Sequence, residues 1–321
     1  MGEQAQVLAR LVREELMRQA PPAARRLAEA IADRVGAATG AVVFYGSCLR
    51  KRTDDGVFDF YVLVDDYAAS SATPALARLG AWFPPNVFYI ECPSQGSACQ
   101  ETLRAKYAVI SWDDFRRAAS PDAIRTGIWA RFCQPVLAVR VRDEAVRDAL
   151  VEICVEAILT AARRVAPLLE APVTPQEFWQ RVFAETYAAE MRTESPEAVR
   201  SLVSAAPDRY EQVARAALQE LADGGELSLR SDGERLSVEL SPAARKRARR
   251  RWAFRRRLAK AAYVGQLLKT AFTFGDWLPY ALWKVERHTG VHIEPSELQR
   301  RHPLIFGWPL LIRVLRLRAL R

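Results

Sequence analysis

Apolar positions near the start of the chain recur at the spacing of a helix. Leu8, Val12 and Leu16 fall on one side of a 3.6-residue period, with polar residues at most of the positions between them. The sequence Ala20-Pro21-Pro22 interrupts this period, because proline is tolerated only in the first turn of a helix. Residues 4–36 are therefore predicted to form two amphipathic helices.

The pattern then changes to short apolar runs that are typical of buried strands. Such runs occur at 41–45, 57–64, 86–91 and 107–110. Ser111 follows the last of them and, with Asp113 and Asp114 behind it, has the residue types of a helix N-cap and first turn. Strands interspersed with helices predict a small mixed α/β domain over residues 1–140, which includes the N-terminal helices.

The middle of the chain has a different organisation. From Arg142 to about Met191 the pattern is helical. The elements predicted after it are a helix at 210–222, a stop at Gly224-Gly225, and strands at 227–229 and 236–240 around the turn at 231–233. Helix, strand, turn and strand are the parts of a winged helix. Residues 141–243 are therefore predicted to form a helical, winged-helix-like domain.

The last part of the chain, residues 244–321, is basic, aromatic and helical in pattern, and it ends in a tail rich in Leu, Ile and Arg. The net charge of the chain is +9, and ten Lys and Arg residues with no acid lie between Arg245 and Lys260. Such a charge balance predicts binding to a polyanion: nucleic acid, anionic lipid or a nucleotide. The predicted fold class is α+β: a mixed sheet with flanking helices, then a helical and winged-helix-like domain, and a C-terminal helical tail.

Composition narrows the class of protein further. The longest apolar run, Pro303–Ile312, has ten residues, about half of the roughly 20 that a membrane-spanning helix needs. No charged and then apolar leader opens the sequence, so we expect a cytoplasmic protein, peripheral on the inner face of the cell membrane. Five irregularly spaced cysteines argue against a disulfide framework and a zinc ribbon, and favour free thiols.

The candidate chemistry lies at the end of the first predicted strand. Phe44-Tyr45-Gly46-Ser47 is followed, after eleven intervening residues, by Asp59 in the second strand. A strand that ends in Gly-Ser presents backbone N–H groups and a hydroxyl to a phosphate chain, and glycine permits close approach. A neighbouring aspartate can hold the Mg²⁺ that bridges such phosphates. An apolar setting makes Asp59 costly to bury without a cation. A hairpin turn followed by a core strand is the alternative.

This arrangement resembles the signature of polymerase-β-like nucleotidyltransferases, which pair Gly-Ser with two carboxylates spaced Asp-x-Asp or Asp-x-Glu. Here Tyr61 stands where the second carboxylate is expected. Asp65 lies on the same strand face as Asp59, but six residues at about 3.3 Å each place it roughly 20 Å away, too far to share a metal ion.

A longer series of motifs resembles the mitochondrial translocator-assembly-and-maintenance type of phosphatidate cytidylyltransferase, a CDP-diacylglycerol synthase. In chain order, the matching segments are Tyr45-Gly46-Ser47-Cys48, Phe58-Asp59-Phe60, Lys106–Ser111, Ala130–Val136, Glu185–Arg192 and Gln266–Thr273. The resemblance spans roughly residues 40–285. This chain departs from the family at Cys48 and Ala189, where the family has glycine, at Gln134, where it has lysine, and at Glu190, where it has aspartate.

The resemblance implies that CTP and phosphatidic acid react to give CDP-diacylglycerol and pyrophosphate, with Mg²⁺ as cofactor. Catalysis would rest on positioning and charge neutralisation. The implied roles are nucleotide binding by Tyr45, Gly46, Ser47 and Arg192, metal binding by Asp59 with Glu190 as the second ligand, and phosphate contacts from Lys106, Arg131 and Arg192. The catalytic residues would be Asp59, Lys106 and Arg131.

The C-terminal segment Trp308–Arg321 interleaves seven Leu, Ile and Val residues with four arginines, which predicts a helix lying on an anionic membrane surface. A helix that merely covers the core is the alternative. The histidines His288, His292 and His302 have no accompanying acid or cysteine cluster and are not expected to bind metal.

Two other functions remain open from the sequence. One is a winged-helix nucleic-acid-binding protein, favoured by the basic run, although no nucleic-acid partner is expected if the resemblance holds. The other is a nucleotidyltransferase fold with a different acceptor or with no activity, suggested by Tyr61.

Overall fold

The fold is a mixed sheet with helices on both faces, followed by a largely helical part and a hairpin. A computed structural model describes residues 2–68, 84–93, 102–190, 195–273 and 296–297, with the backbone alone for 267–273. The helices are α1 (Glu3–Leu16), α2 (Pro22–Val35), α3 (Ser47–Lys51), α4 (Trp112–Ala119), α5 (Gly127–Phe132), α6 (Glu144–Val165), α7 (Pro175–Ala189), α8 (Pro196–Ser204), α9 (Pro207–Asp223) and α10 (Pro242–Thr273), with a 3₁₀ turn at Ala166–Leu168. The strands are β1 (Thr39–Tyr45), β2 (Val57–Val64), β3 (Asn86–Pro93), β4 (Thr102–Ser111), β5 (Leu137–Val141), β6 (Ser228–Asp232) and β7 (Arg235–Glu239).

Five strands form one sheet in the order β3-β4-β2-β1-β5. The strands β2 and β4 pair in parallel, and the other neighbouring pairs are antiparallel. The α+β class and the four strands predicted in this region are confirmed, although β4 begins at Thr102 rather than at Tyr107 and β5 was not predicted. The N-cap prediction is also confirmed, because the Ser111 hydroxyl accepts a hydrogen bond from the Asp114 backbone N–H.

The two faces of this sheet bury different sets of side chains. The helix α2, which begins at Pro22 as its Pro-Pro break predicts, covers one face with Leu27 and Ile31. On that face Phe44 packs against Phe58 and Phe60, with ring centroids 5.4 and 5.2 Å apart. Each such fully buried ring contributes about 1.5–3 kcal/mol. The opposite face is covered by helices of the later part of the chain. The sheet is therefore enclosed by helices on both sides.

The later helices share a core with the second face of the sheet. One buried cluster runs from Leu8 of α1 through the sheet to Leu218 of α9 and Trp252 of α10. At its edge, the Glu220 carboxylate accepts hydrogen bonds from the backbone N–H groups of Gly2 and Ala5. The cluster crosses the boundary predicted at residue 140, and the division into domains remains a prediction.

The helical stretch predicted from Arg142 to about Met191 is interrupted in the structure. After the 3₁₀ turn the chain leaves the helical path, and Val173 bridges to Leu236 of β7. The helix α7 then begins at a capping box formed by Thr174 and Glu177. Two helices, α6 and α7, therefore occupy this region.

The helix predicted at 210–222 and the strands predicted at 227–229 and 236–240 are present as α9, β6 and β7. The strand β6 extends to Asp232, so the turn begins later than the predicted 231–233. Within the part of the chain that the structure describes, no helix combines the length and apolar character needed to cross a membrane. The segment Trp308–Arg321, the three histidines and Arg192 lie outside the described residues.

Candidate functional site

The turn that ends β1 is shaped around Asp59. Tyr45, the last residue of β1, pairs in register with Asp59 on β2, and Gly46 then adopts φ +92° and ψ −158° before α3 begins at Ser47. This backbone conformation is open essentially to glycine alone. A Cβ atom on Gly46 would lie 2.8 Å from Asp59 Oδ2. Glycine therefore lets the turn backbone lie directly against the carboxylate, with the exposed Ser47 next in the chain.

Asp59 is paired with Lys106. The two residues are cross-strand neighbours on the parallel strands β2 and β4, and Lys106 Nζ lies 3.2 Å from Asp59 Oδ1. The cation that the apolar setting of Asp59 requires is thus supplied by this lysine. The side chains are 24% and 37% exposed, so this pair adds little to stability, and both groups are open to a ligand.

Residues that are distant in sequence meet beside this pair in a cavity of about 500 Å³. Tyr45, Tyr61 and Lys106 reach it from the sheet, and Glu190 reaches it from the end of α7. The residues around the start of α5 that line it are Arg125, Thr126, Gly127, Ile128 and Arg131. Its remaining wall includes Ala259, Tyr263 and Gln266 of α10. Four predicted site residues therefore line one cavity: Tyr45, Lys106, Arg131 and Glu190.

A buried ion pair forms one side of the cavity. Arg131 Nη1 and Nη2 lie 3.2 and 3.4 Å from the two oxygens of Glu190, and Glu190 Oε1 also accepts from the Thr126 hydroxyl at 3.2 Å. A Cβ atom on Gly127 would lie 2.8 Å from Arg131 Nη1, so glycine makes room for the guanidinium. Burial lowers the pKa of Arg131, but the electrostatic interactions with Glu190, Tyr61 and Tyr45 and the hydrogen bonds to Glu190 together outweigh it and hold the pKa well above its usual value. Arg131 is a fixed cation.

Arg125 is a third cation of this cavity and was not predicted from the sequence. Its guanidinium donates to Gln266 Oε1 at 2.6 Å and to the Pro84 carbonyl. Burial lowers the pKa of Arg125, an effect opposed by Tyr61 and Asp114. No motif surrounds it, and its only sequence signal is a position between Pro121 and Gly127, where a loop is expected.

Tyr61 occupies the strand position at which the signature has a second carboxylate. Its ring centroid lies 5.2 Å from those of Tyr45 and Phe132. Burial raises the pKa of Tyr61, and the charge of Arg131 opposes that shift. An aromatic, uncharged group therefore stands between the cations where another anion would be expected.

A second cavity, of about 730 Å³, lies on the other side of the end of β1. Gly46 lines it, together with Phe44 and Phe58 from the opposite face of the sheet. Gln134 also lines it and donates to the Ala130 carbonyl at 2.8 Å. The Gly46 turn thus stands between two cavities.

The residues present fit a metal ion only in part. Mg²⁺ in phosphate chemistry is held by one or two carboxylates together with substrate phosphates, and Asp59, partly exposed beside the Gly46 turn, suits that role. Glu190 fits less well, because its side chain is buried and both of its oxygens accept from Arg131. Among the residues described, no three His, Cys, Asp or Glu side chains are grouped as a metal site.

Comparison of the chain with models of known protein families found no match, and comparison with curated proteins found none either. The case for a function therefore comes from the sequence motifs of the chain and from the geometry that they form.

Proposed function

We propose that the protein is a nucleotidyltransferase that uses CTP and phosphatidic acid to make CDP-diacylglycerol and pyrophosphate at a membrane surface. One observation carries the proposal. Tyr45, Lys106, Arg131 and Glu190 belong to four separate motifs of the resemblance, and all four line one cavity beside the Gly46 turn and Asp59. A phosphatidate cytidylyltransferase needs a cationic cavity of this kind next to a carboxylate and a glycine turn.

The transfer needs charge neutralisation more than proton removal. A phosphate oxygen of phosphatidic acid attacks the α-phosphorus of CTP, the new P–O bond forms, and the bond to the β-phosphate breaks as pyrophosphate leaves. The second pKa of a phosphomonoester is about 6, so the nucleophile is already ionised at neutral pH. Catalysis then rests on holding the two anionic substrates together.

The chain offers groups for each part of this task. Lys106, Arg125 and Arg131 provide positive charge in the cavity, and Glu190 acts as a positioning residue that fixes the Arg131 guanidinium. The Gly46 turn and the Ser47 hydroxyl would meet the triphosphate. Mg²⁺, when bound with the nucleotide, would neutralise phosphate charge, with Asp59 as its protein ligand.

A nucleic-acid-binding function has less support from the winged-helix-like elements. The helix α9, in the position of a recognition helix, buries Tyr210 and Leu218 in the core. Its exposed residues are acidic or uncharged: Pro207, Asp208, Gln212, Gln219 and Asp223. Phosphate backbones require lysine and arginine at such positions. We therefore propose that these elements pack against the sheet domain and do not read a duplex.

The test is a turnover assay with labelled CTP, phosphatidic acid vesicles and Mg²⁺, run beside ATP, GTP and UTP. We expect CDP-diacylglycerol and pyrophosphate to appear with CTP. Asp59→Asn should lower turnover by roughly 100-fold or more without unfolding the protein. Asp65→Asn is the matched control, because Asp65 is exposed and pairs with Arg142. Turnover that survives Asp59→Asn would contradict the assignment, and a folded protein that turns over no nucleotide would favour the inactive alternative.

A further inference from the structure

The helix α10 has one face that packs on the core and an opposite face that is exposed. Its inner face packs on the core through Trp252, whose indole N–H donates to Glu185 Oε2 at 2.6 Å, and through the buried Ala259. On the same side, Arg255 donates to the carbonyls of Pro121 and Ala123. These contacts fix the rotation of the helix about its axis and determine which residues point outward.

The outer face exposes large apolar side chains. Phe254 is 62% exposed, Val264 44% and Leu258 38%. At 100° per residue, Phe254 and Leu258 point in nearly the same direction, away from Trp252. A phenylalanine exposed to this extent on a helix whose other side is packed is a mark of an interaction surface.

Arginines surround these apolar side chains. At the same angular spacing, four arginines lie within about 60° of Phe254 on the helix surface: Arg247, Arg250, Arg251 and Arg257. All four are exposed. The helix contains no aspartate or glutamate from Pro242 to Thr273. We define the docking face as Arg247, Arg250, Arg251, Phe254, Arg257 and Leu258.

We infer that the docking face lies on the surface of an anionic lipid bilayer. The guanidinium groups contact headgroup phosphates, and Phe254 and Leu258 enter the boundary between headgroups and acyl chains. This division into an apolar centre and a cationic rim is the composition of helices that bind membranes in the plane of the interface. A nucleic-acid duplex would satisfy the arginines and leave the two apolar side chains in water.

The position of this helix links the membrane to the candidate site. Ala259, Tyr263 and Gln266, on the other side of α10, line the cavity that holds Lys106 and Arg131. An α-helix with its side chains is about 10 Å across, so the cavity opens within one helix width of the docking face. A lipid phosphate would then travel a short distance to reach the cations. This consequence rests on the proposed function, whereas the binding itself does not.

The first measurement is flotation of the full chain with vesicles of phosphatidylcholine, with and without phosphatidylglycerol. We expect binding only to the anionic vesicles. Each basic residue near such a surface contributes about fivefold to partitioning, so Arg250→Gln/Arg251→Gln/Arg257→Gln should bind on the order of 100-fold more weakly. Phe254→Ser/Leu258→Ser should also lose binding, while keeping the charge of the helix.

Matched controls separate this surface from charge and apolar exposure in general. Arg10→Gln/Arg25→Gln removes exposed cations elsewhere, and Met17→Ser removes an apolar side chain that is 62% exposed. Both controls should bind as the unmodified chain does. The inference would be overturned if both docking-face variants bound vesicles as well as the unmodified chain does. It would also be overturned if the unmodified chain did not bind vesicles, or bound a duplex oligonucleotide instead.

A second readout separates this inference from the proposed function. Turnover with a short-chain, water-soluble phosphatidate should be the same in the docking-face variants as in the unmodified chain. If the docking-face variants lose vesicle binding but keep turnover of the soluble phosphatidate, both proposals are supported. Vesicle binding that depends on the docking face, in a chain that turns over no soluble substrate, retains the inference and removes the enzyme assignment.

Discussion

Replacing Gly46 with alanine tests the turn on which the proposed chemistry depends. At φ +92° and ψ −158°, a non-glycine residue costs on the order of 1–3 kcal/mol of backbone strain. The added Cβ would also lie 2.8 Å from Asp59 Oδ2, about half an ångström inside ordinary contact. The carboxylate or the turn must therefore move. Displacements of this order at a reacting centre cost on the order of 100-fold in rate.

The chain contains a matched control for the backbone strain. Gly36, after α2, has φ +83° and the same ψ of −158°, and a Cβ atom there would meet nothing within 4 Å. Gly36→Ala should therefore lose the free energy of unfolding that the backbone strain costs, and Gly46→Ala should lose at least as much, both measured by urea titration. CTP turnover should fall by roughly 100-fold in Gly46→Ala and stay unchanged in Gly36→Ala. Equal turnover in the two variants would refute the argument that the glycine places the turn against Asp59.

Two further predictions concern buried groups. Glu190→Gln leaves the Arg131 charge without its partner, which costs about 3–5 kcal/mol for a buried pair, so the urea midpoint should fall while the Mg²⁺ concentration needed for turnover stays the same. The exposed Glu197→Gln, whose partner is Arg200, is the control and should leave the midpoint unchanged. An unaltered midpoint with a raised Mg²⁺ requirement would instead identify Glu190 as a metal ligand. Burial raises the pKa of Cys133 from 9.0 to about 12 and raises that of Cys154 as well. In the unfolded chain these thiols ionise near pH 9, so stability should be constant below that pH and fall between pH 9 and 12, by about 1.4 kcal/mol per pH unit for each thiol. Urea titrations across this pH range should show that the stability of Cys133→Ala declines less steeply with pH than that of the unmodified chain. An identical slope in the two proteins would contradict the raised pKa of Cys133.

Local elements of the fold could be predicted because each carries its own signal. The run Val57–Val64 is long and apolar, and Ser111 has an N-cap's residue type followed by two acids. The strand β5 was missed because Leu137–Val141 is short and only partly buried, which leaves a weak pattern. The start of β4 was missed because polar residues alternate there, as they do where a strand has one exposed side.

Without the resemblance, the candidate site could be predicted only where the residue type itself suggests chemistry. Gly46 and Asp59 could be identified because a glycine at the end of a strand indicates close approach of a ligand, and a carboxylate within an apolar strand is costly to bury without a cation. The pairing of Arg131 with Glu190 joins residues 59 positions apart, and nothing in either local sequence indicates it. Arg125 and Gly127 were not predicted for the same reason, since Arg125 contacts Gln266 of α10 and Pro84 and Gly127 lies against Arg131 and Glu190.

The contacts of the first helix set an order for folding during synthesis. The N-terminus of α1 is held by Glu220, which lies 218 positions later in the chain. At roughly 5–20 residues per second, about 10–40 s pass between the synthesis of these two segments. Throughout that delay the apolar side of α1, with Leu8 and Val12, has no native partner in α9. The native contacts at the N-terminus of α1 therefore form only after Glu220 has been synthesised, which places them among the late steps of folding.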